Sequence, residues 1–192
     1  MHPVHVVKLL GMVLGRQPNF VEYAAGLLHD SDRVALNPVP KISGAYDEWV
    51  RKQYVHPLHS ARFAREILTR LKIATPREIH DIVWIIARHD MELNKGVSFA
   101  GRTLMRPVTA HHRLRASVEA VVNADKLSFF DSTIGLFVHD RRDRLEHVIT
   151  RVVSNLMQLT PYWRREAVAL SRTTTMPPAA AVMATHGHMM AS

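Results

Sequence analysis

Helical periodicity runs through almost the whole chain and limits its possible folds more than any other feature. Apolar residues recur every three or four positions, and no stretch alternates convincingly with a period of two. We therefore predict an all-α fold, a single compact bundle of about six to eight helices. Residues 1–172 would form this one domain, and residues 173–192 a disordered tail, because they lack a pattern able to bury a core face.

Local signals mark where two of the helices begin. Asn19 is a suitable N-cap with Glu22 three residues later, and Thr75-Pro-Arg-Glu78 combines a cap, a first-turn proline and a capping-box acid. The first signal predicts a helix that ends next to the pair His29-Asp30. The second predicts a helix that reaches His89.

The remaining segments follow from periodicity and from glycine and proline positions. Proline and glycine interrupt the pattern in two places, which we interpret as surface loops over residues 31–45 and 94–112. The other predicted helices cover residues 4–14, 46–72 with a possible break near Pro57, 114–130, 140–159 and 161–171.

The amino-acid composition limits the kinds of functional site that the chain can form. The chain of 192 residues has no cysteine, so disulfides, thiolate metal sites and cysteine nucleophiles are excluded. Thirteen histidines remain as nitrogen ligands for a metal. The formal net charge of +8 suits an anionic partner, although a basic surface that only maintains solubility explains it equally well.

Four His-Asp pairs occur in the sequence, and only His29-Asp30 closes an apolar run, which begins at Tyr23. An imidazole and a carboxylate at the end of a buried helix offer a divalent ion a neutral nitrogen and an anionic oxygen. We expect His80-Asp81 to lie on a solvated surface and Asp140 of the pair His139-Asp140 to cap a helix. The pair thus expected to carry chemistry is the first.

Four blocks, in their order along the chain, carry a resemblance to a known family. They are Ala24-Ala-Gly-Leu-Leu-His-Asp30, His56-Pro-Leu-His-Ser-Ala61, Ile82-Val-Trp-Ile-Ile-Ala-Arg-His89 and Val121-Val-Asn-Ala-Asp-Lys-Leu127. Over about residues 4–165 the sequence resembles the HD superfamily of metal-dependent phosphohydrolases, in particular its small bacterial members. The resemblance implies an all-α HD domain with a metal site in its centre.

The resemblance also implies a set of ligands for one or two divalent ions. Asp30 would bridge the two ions and take part in catalysis, and Mn, Fe, Ni, Co or Zn would suit nitrogen and oxygen ligands. His2 could replace His5, and His59 shares a helix face with His56. The implied ligands of the first ion are His5, His29, Asp30 and Asp125, and those of the second are His56 and His89 together with Asp30.

Two basic residues near the implied ligands are candidates for contacting phosphate, and the first, Arg33, matches a position where related hydrolases often place a lysine or arginine. Arg33 follows Asp30 by three residues, and Lys126 follows the distal aspartate, although Lys126 could equally be a solvent-facing helix lysine. Arg62 and Arg88 are weaker candidates. The sequence departs from the family's common His-Asp-Ile-Gly-Lys version, because it lacks that glycine and has the additional Asp32.

These features together predict a metal-dependent phosphohydrolase acting on a small phosphorylated molecule, with a nucleotide as the first candidate. The alternative is a noncatalytic nucleotide- or nucleic-acid-binding protein. Nucleic acid ranks lower because there is no compact basic recognition helix. The paired His111-His112 could enter the site from a loop, although an exposed loop is the more frequent case. No apolar run approaches the roughly 20 residues needed to cross a bilayer, so we expect a cytoplasmic protein.

Overall fold

The computed structural model describes residues 2–33, 54–130 and 145–173, without the side chains of residues 33, 145–148, 151 and 171–173. The described chain is mostly helical, with one short two-stranded sheet, and the predicted all-α class is confirmed. Its elements in order are α1 His2–Leu14, α2 Phe20–Leu28, a 3-10 turn Ser31–Arg33, α3 His56–Leu71, α4 Pro76–Ile86, β1 Val97–Phe99, β2 Arg102–Met105, α5 Arg115–Ser128, α6 Leu145–Gln158 and α7 Pro161–Thr173.

The chain divides into two compact units, residues 1–122 and 123–192. In the first unit α2 packs against α1 and α4, and α3 packs against α4 and the 3-10 turn. In the second unit α6 contacts α7. Within the described ranges, no helix combines the length and the apolar character that crossing a membrane requires.

The core of the first unit is made of aliphatic side chains that recur at helical spacing. Ile82, Ile85 and Ile86 lie on one face of α4 and are fully buried, as are Val6 and Leu10 of α1. Burying side chains of this size contributes roughly 1.5–3 kcal/mol each. These contacts fix the ends of α2 and α4, where the candidate site lies.

Both predicted capping boxes are present. The Glu22 N–H donates to Asn19 Oδ1 at 3.0 Å, and the Asn19 N–H donates to the Glu22 carboxylate at 3.0 Å. The Glu78 N–H donates to Thr75 Oγ1 at 3.3 Å, and the Thr75 N–H donates to the Glu78 carboxylate at 2.8 Å. Each box satisfies two backbone donors that a helix start would otherwise leave without an intrahelical partner.

The predicted extension of α4 to His89 is wrong. The helix ends at Ile86, because the N–H groups of Arg88 and His89 bond to carbonyls only three residues back, at 3.0 and 3.3 Å. Such bonds tighten the chain into a turn and end regular α-helix. His89 therefore lies in a turn after the helix.

Residues 94–112, predicted as a loop, contain an antiparallel hairpin of β1 and β2. The strands have three and four residues, too few for a period of two to stand out in the sequence. Gly96 and Gly101 have φ of 71° and 75°. A Cβ on Gly96 would lie 2.3 Å from the carbonyl oxygen of Met105, so only glycine fits there.

The predicted long helix over residues 46–72 is described only in its C-terminal part. α3 begins at His56 with Pro57 in its first turn, the position where a proline's missing N–H costs nothing. It ends at Leu71, and Lys72 follows in the left-handed conformation with φ of 53°. Residues 46–53 lie outside the described residues, as do 131–144 and 174–192.

Candidate metal centre

The Asp30 carboxylate, directly after α2, is surrounded by imidazole rings. Its side chain is 8% exposed. Asp30 Oδ1 lies 2.9 Å from His56 Nε2 and 3.8 Å from His89 Nε2. Asp30 Oδ2 lies 3.8 Å from His29 Nε2 and 3.8 Å from His2 Nε2. Each carboxylate oxygen therefore faces two histidine nitrogens.

This arrangement gives two groups of three potential metal ligands that share Asp30. One group is His2, His29 and Asp30, and the other is Asp30, His56 and His89. In each group one ligand atom from every residue lies within 4.8 Å of the others. Neutral imidazole and carboxylate are ligands that divalent transition metals accept, so these groups could hold a metal ion.

Two of the histidines have their Nδ1 atoms fixed by backbone carbonyls. His29 Nδ1 lies 2.8 Å from the Gly26 oxygen, and His89 Nδ1 lies 2.7 Å from the Ile86 oxygen. Since a carbonyl only accepts, Nδ1 must carry the proton in both rings. In the neutral ring the lone pair is then on Nε2, the atom that faces Asp30.

His56 is held by two carboxylates. Its Nδ1 donates to Asp32 at 2.7 Å, and its Nε2 donates to Asp30 at 2.9 Å. Burial acts to lower the pKa of His56, but the hydrogen bonds and charges of Asp30 and Asp32 outweigh it and raise that pKa to about 9. Both ring nitrogens of His56 thus lie within hydrogen-bond distance of a carboxylate, and the ring bridges Asp30 and Asp32.

Asp32 is fixed in turn by α3. Ser60 Oγ donates to Asp32 Oδ1 at 2.7 Å, and Ser31 Oγ donates to the Ser60 carbonyl at 3.1 Å. Burial acts to raise the pKa of Asp32, but the hydrogen bonds from His56 and Ser60 and the His56 charge keep it below its ordinary value. The 3-10 turn and the first two turns of α3 thus form one hydrogen-bonded network.

Asp90 brings a further carboxylate to this network. Its side chain is 3% exposed, and its Oδ2 lies 3.6 Å from His89 Nε2 and 3.9 Å from His56 Nε2. His89 itself is fully buried, and mainly for that reason its pKa falls to about 4. A neutral His89 suits metal binding, since only the unprotonated nitrogen is a ligand.

Four of the six predicted ligands lie together around the shared carboxylate: His29, Asp30, His56 and His89. His2, the alternative to His5, belongs to one of the two groups. His5 is half-buried one turn further along α1 and belongs to neither, and its ligand role stays a prediction.

The remaining predicted site residues are Asp125, Lys126 and Arg33. Asp125 and Lys126 belong to the second unit, where both are buried and form an ion pair with each other. Of the two alternatives for Lys126, the solvent-facing helix lysine is therefore excluded. Arg33 ends the 3-10 turn, and its side chain lies outside the described residues. Their roles toward metal or phosphate stay predictions.

The other histidines have different surroundings. His59 and His111 are exposed. His112 stacks on Trp84 with ring centroids 4.1 Å apart. The pair His80-Asp81 is not simply solvated, because Asp81 is buried and paired with Arg113. The pair 139–140 lies outside the described residues.

The two weaker arginine candidates make other contacts, and their roles toward phosphate stay predictions. Arg62 is exposed and paired with Glu66 at 3.2 Å. The Arg88 guanidinium lies over the Trp84 ring, 3.9 Å from its centroid, and also donates to the Trp84 carbonyl at 3.2 Å. The Arg88 guanidinium and the His112 ring thus both stack on the indole of Trp84, a residue of α4.

Sequence reasoning missed two carboxylates of the site. It treated Asp32 only as a departure from a motif and gave Asp90 no role. The contacts of Asp32 reach 24 and 28 residues along the chain, to His56 and Ser60, and no local pattern reports them. Helical spacing gave one available signal, since His56 and Ser60 stand four apart on one face of α3.

Comparison with family models, with curated proteins and with solved structures finds no match to this chain. The resemblance to the HD superfamily therefore rests on the sequence blocks alone.

Proposed function

We propose that the protein is a metal-dependent phosphohydrolase that cleaves a phosphomonoester or phosphodiester of a small molecule, with nucleotides as the first substrates to test. The observation that carries this proposal is the buried Asp30 carboxylate with two histidine nitrogens at each oxygen. A carboxylate in that setting is a natural bridge between two divalent ions. Paired ions of this kind are typical of enzymes that transfer or hydrolyse phosphoryl groups.

The residues of the chain would hold the ions and prepare them for the substrate. His29 and His89 would bind through Nε2, since their Nδ1 atoms are engaged by backbone carbonyls. Divalent ions held there would neutralise phosphoryl oxygens and supply a nucleophilic water at neutral pH. His5 and Asp125 are further candidate ligands from the family resemblance.

Two basic residues are candidates for substrate binding. A guanidinium such as that of Arg33, three residues after Asp30, can contact a phosphate through two hydrogen bonds. Lys126 would act as a point charge, provided that its ion pair with Asp125 opens or is shared with the substrate. Neither residue needs to act as a nucleophile.

The test is an assay of the metal-stripped full chain reloaded with Mn, Fe, Co, Ni or Zn. Substrates are nucleoside monophosphates, cyclic nucleotides and nitrophenyl phosphate mono- and diesters. We expect hydrolysis that requires added metal and that Asp30→Asn abolishes. The matched control is Asp81→Asn. Asp81 is another buried aspartate that follows a histidine, His80, and neither of these two residues belongs to a ligand group.

Two results would contradict the proposal. One is a metal-loaded protein that turns over no member of the panel, which would favour a noncatalytic binding protein. The other is full activity in the Asp30→Asn variant. Salt dependence separates nucleic-acid binding from the proposed activity, because nucleic-acid affinity falls steeply with salt.

A further inference from the structure

We infer that Asp90 is a fourth ligand at the metal position formed by Asp30, His56 and His89, and that Asp32 orients His56 for this position. The inference rests on the metal binding proposed above and adds two residues to it. Neither residue has a role in the implied ligand set.

The separations of Asp90 from the two imidazoles, His56 and His89, have the scale of distances within a coordination sphere. Ligands about 2.1 Å from one ion lie roughly 3–3.5 Å apart. Asp90 Oδ2 is 3.6 Å from His89 Nε2 and 3.9 Å from His56 Nε2. The corresponding separations from Asp30 Oδ1 are 2.9 Å to His56 and 3.8 Å to His89. Asp90 thus stands to the two imidazoles much as Asp30 does.

The chemistry of the donors agrees with this placement. Asp30 and Asp90 would supply two anionic oxygens, and His56 and His89 two neutral nitrogens, a mixed set that Zn, Mn, Fe, Co or Ni accepts. Both aspartate side chains are under 10% exposed. A divalent ion between these four groups would face two anionic oxygens, which balance its charge.

Asp32 contacts His56 at Nδ1, the ring nitrogen that is not at the proposed metal position. With an ion at Nε2, the remaining proton of His56 must be on Nδ1, where Asp32 accepts it at 2.7 Å. Ser60 holds the other oxygen of Asp32 at 2.7 Å. His29 and His89 have neutral backbone carbonyls in the equivalent place, so only His56 is supported by an anion. A carboxylate there fixes the ring and makes its nitrogen a better donor.

The experiment measures Mn²⁺ binding to the metal-stripped full chain by titration calorimetry, and compares the wild type with Asp90→Asn, Asp32→Asn and Asp32→Ala. Asn at position 32 can still accept from Nδ1, so it removes the charge alone, whereas Ala also removes the orientation. We expect affinity at one position to fall about 100-fold in Asp90→Asn, about 10-fold in Asp32→Asn and further in Asp32→Ala. Asp81→Asn is the matched control and should bind as the wild type does.

A second readout separates positioning from general destabilisation. In the metal-free protein, ¹⁵N chemical shifts of the His56 ring should change in both Asp32 variants, and those of His29 should not, since His29 is fixed by Gly26. Thermal melting of each metal-free variant checks folding. If Asp90→Asn does not fold, Asp90→Glu replaces it, and an intermediate affinity is expected because the carboxylate is kept but displaced.

Failures of the two proposals are distinguishable. Variants at positions 32 and 90 that bind Mn²⁺ as Asp81→Asn does would overturn this inference, even if the protein hydrolyses phosphate esters. Weakened binding in these variants without any hydrolysis would support it and overturn the proposed activity. A wild type that binds no Mn²⁺ would overturn both.

Discussion

The pairs His29-Asp30 and His80-Asp81 have the same two residues and opposite surroundings. Both aspartates are buried, with relative exposures of 7% and 6%. Asp30 faces four imidazoles, whereas Asp81 is bound by both terminal nitrogens of Arg113. An imidazole can lose its proton and bind a metal, but a guanidinium stays charged and keeps the carboxylate in an ion pair. The partners of the carboxylate, and not the dipeptide, decide its chemistry.

Helix position explains how one dipeptide obtains two sets of partners. His29 and Asp30 follow the last residue of α2, where the chain turns and both side chains point to neighbouring elements. His80 and Asp81 lie within α4, where adjacent residues diverge by about 100° around the axis. There the imidazole is 64% exposed while Asp81 is covered.

The largest expected effect is that of Asp30→Asn. It removes the charge that both ligand groups share, so bound metal per chain and any metal-dependent activity should fall by more than about 100-fold. Asp81→Asn should leave metal content unchanged. Elemental analysis after dialysis measures the bound metal in both variants. An equal loss of metal in the two variants would contradict the distinction between His29-Asp30 and His80-Asp81.

Gly26 tests whether helix packing positions the first pair. A Cβ there would lie 3.3 Å from Leu10 Cδ2 and 3.5 Å from Val7 Cγ2. Val at this position should overpack α1 against α2 and lower the free energy of unfolding by about 1–3 kcal/mol. Since the Gly26 carbonyl also holds His29, metal affinity should fall as well.

The matched variant is Gly26→Ala, measured by the same denaturant titration. The flexible end of Leu10 can give way by a few tenths of an ångström, and the higher helix propensity of Ala contributes about 1 kcal/mol in favour. We expect a change near zero. A destabilisation as large as that of Gly26→Val would show that the free energy of unfolding depends on the position of the backbone at Gly26, and not on the volume of the added side chain.

An effect smaller than that of Gly26→Val is expected from Ser60→Ala. This variant removes the hydroxyl that donates to Asp32 and should cost about 0.5–1.5 kcal/mol of unfolding free energy. It leaves the bond from His56 to Asp32 in place, so metal affinity should fall less than in Asp32→Asn. A loss of affinity equal to that of Asp32→Asn would assign the orienting role to Ser60 itself.

Apart from the Gly26→Ala control, the smallest expected effect concerns acid stability at the second pair. The hydrogen bond from Arg113 lowers the pKa of Asp81 from its ordinary value of 3.8 to about 2. The depressed pKa means that Asp81 contributes stability above about pH 4, and that this contribution is lost as pH falls through about 2. Melting temperatures between pH 5 and pH 2 should therefore decline less in Asp81→Asn than in the wild type. If the melting temperatures of the variant and the wild type fell equally with pH, the lowered pKa of Asp81 would be contradicted.

Local signals accounted for much of the fold. The boxes at Asn19 and Thr75 were predicted from the sequence because a cap, its acid and the helix they begin lie within four residues. The hairpin of β1 and β2 was not, because strands of three and four residues leave no periodic pattern. The end of α4 was also misplaced, since the bonds that turn the chain toward His89 depend on packing around it.

The candidate site divides in the same way. His29 and Asp30 could be found because a small-and-leucine run leads to them, and the order of the blocks added His56 and His89. His2 and His5 share a face of α1, and spacing alone could not separate them. Asp32 and Asp90 contact the other site residues only when distant segments of the chain meet. Local sequence patterns therefore could not predict these contacts.

The stack of Arg88 on Trp84 and of Trp84 on His112 offers an optical test of the proposed metal binding. Arg88 directly precedes His89 in the turn after α4, so we expect an ion bound at His89 to shift the guanidinium that lies over the indole ring. Indole emission depends on such neighbouring charges. Tryptophan fluorescence should therefore change as the metal loads, and Trp84→Phe should abolish the change while leaving the affinity intact.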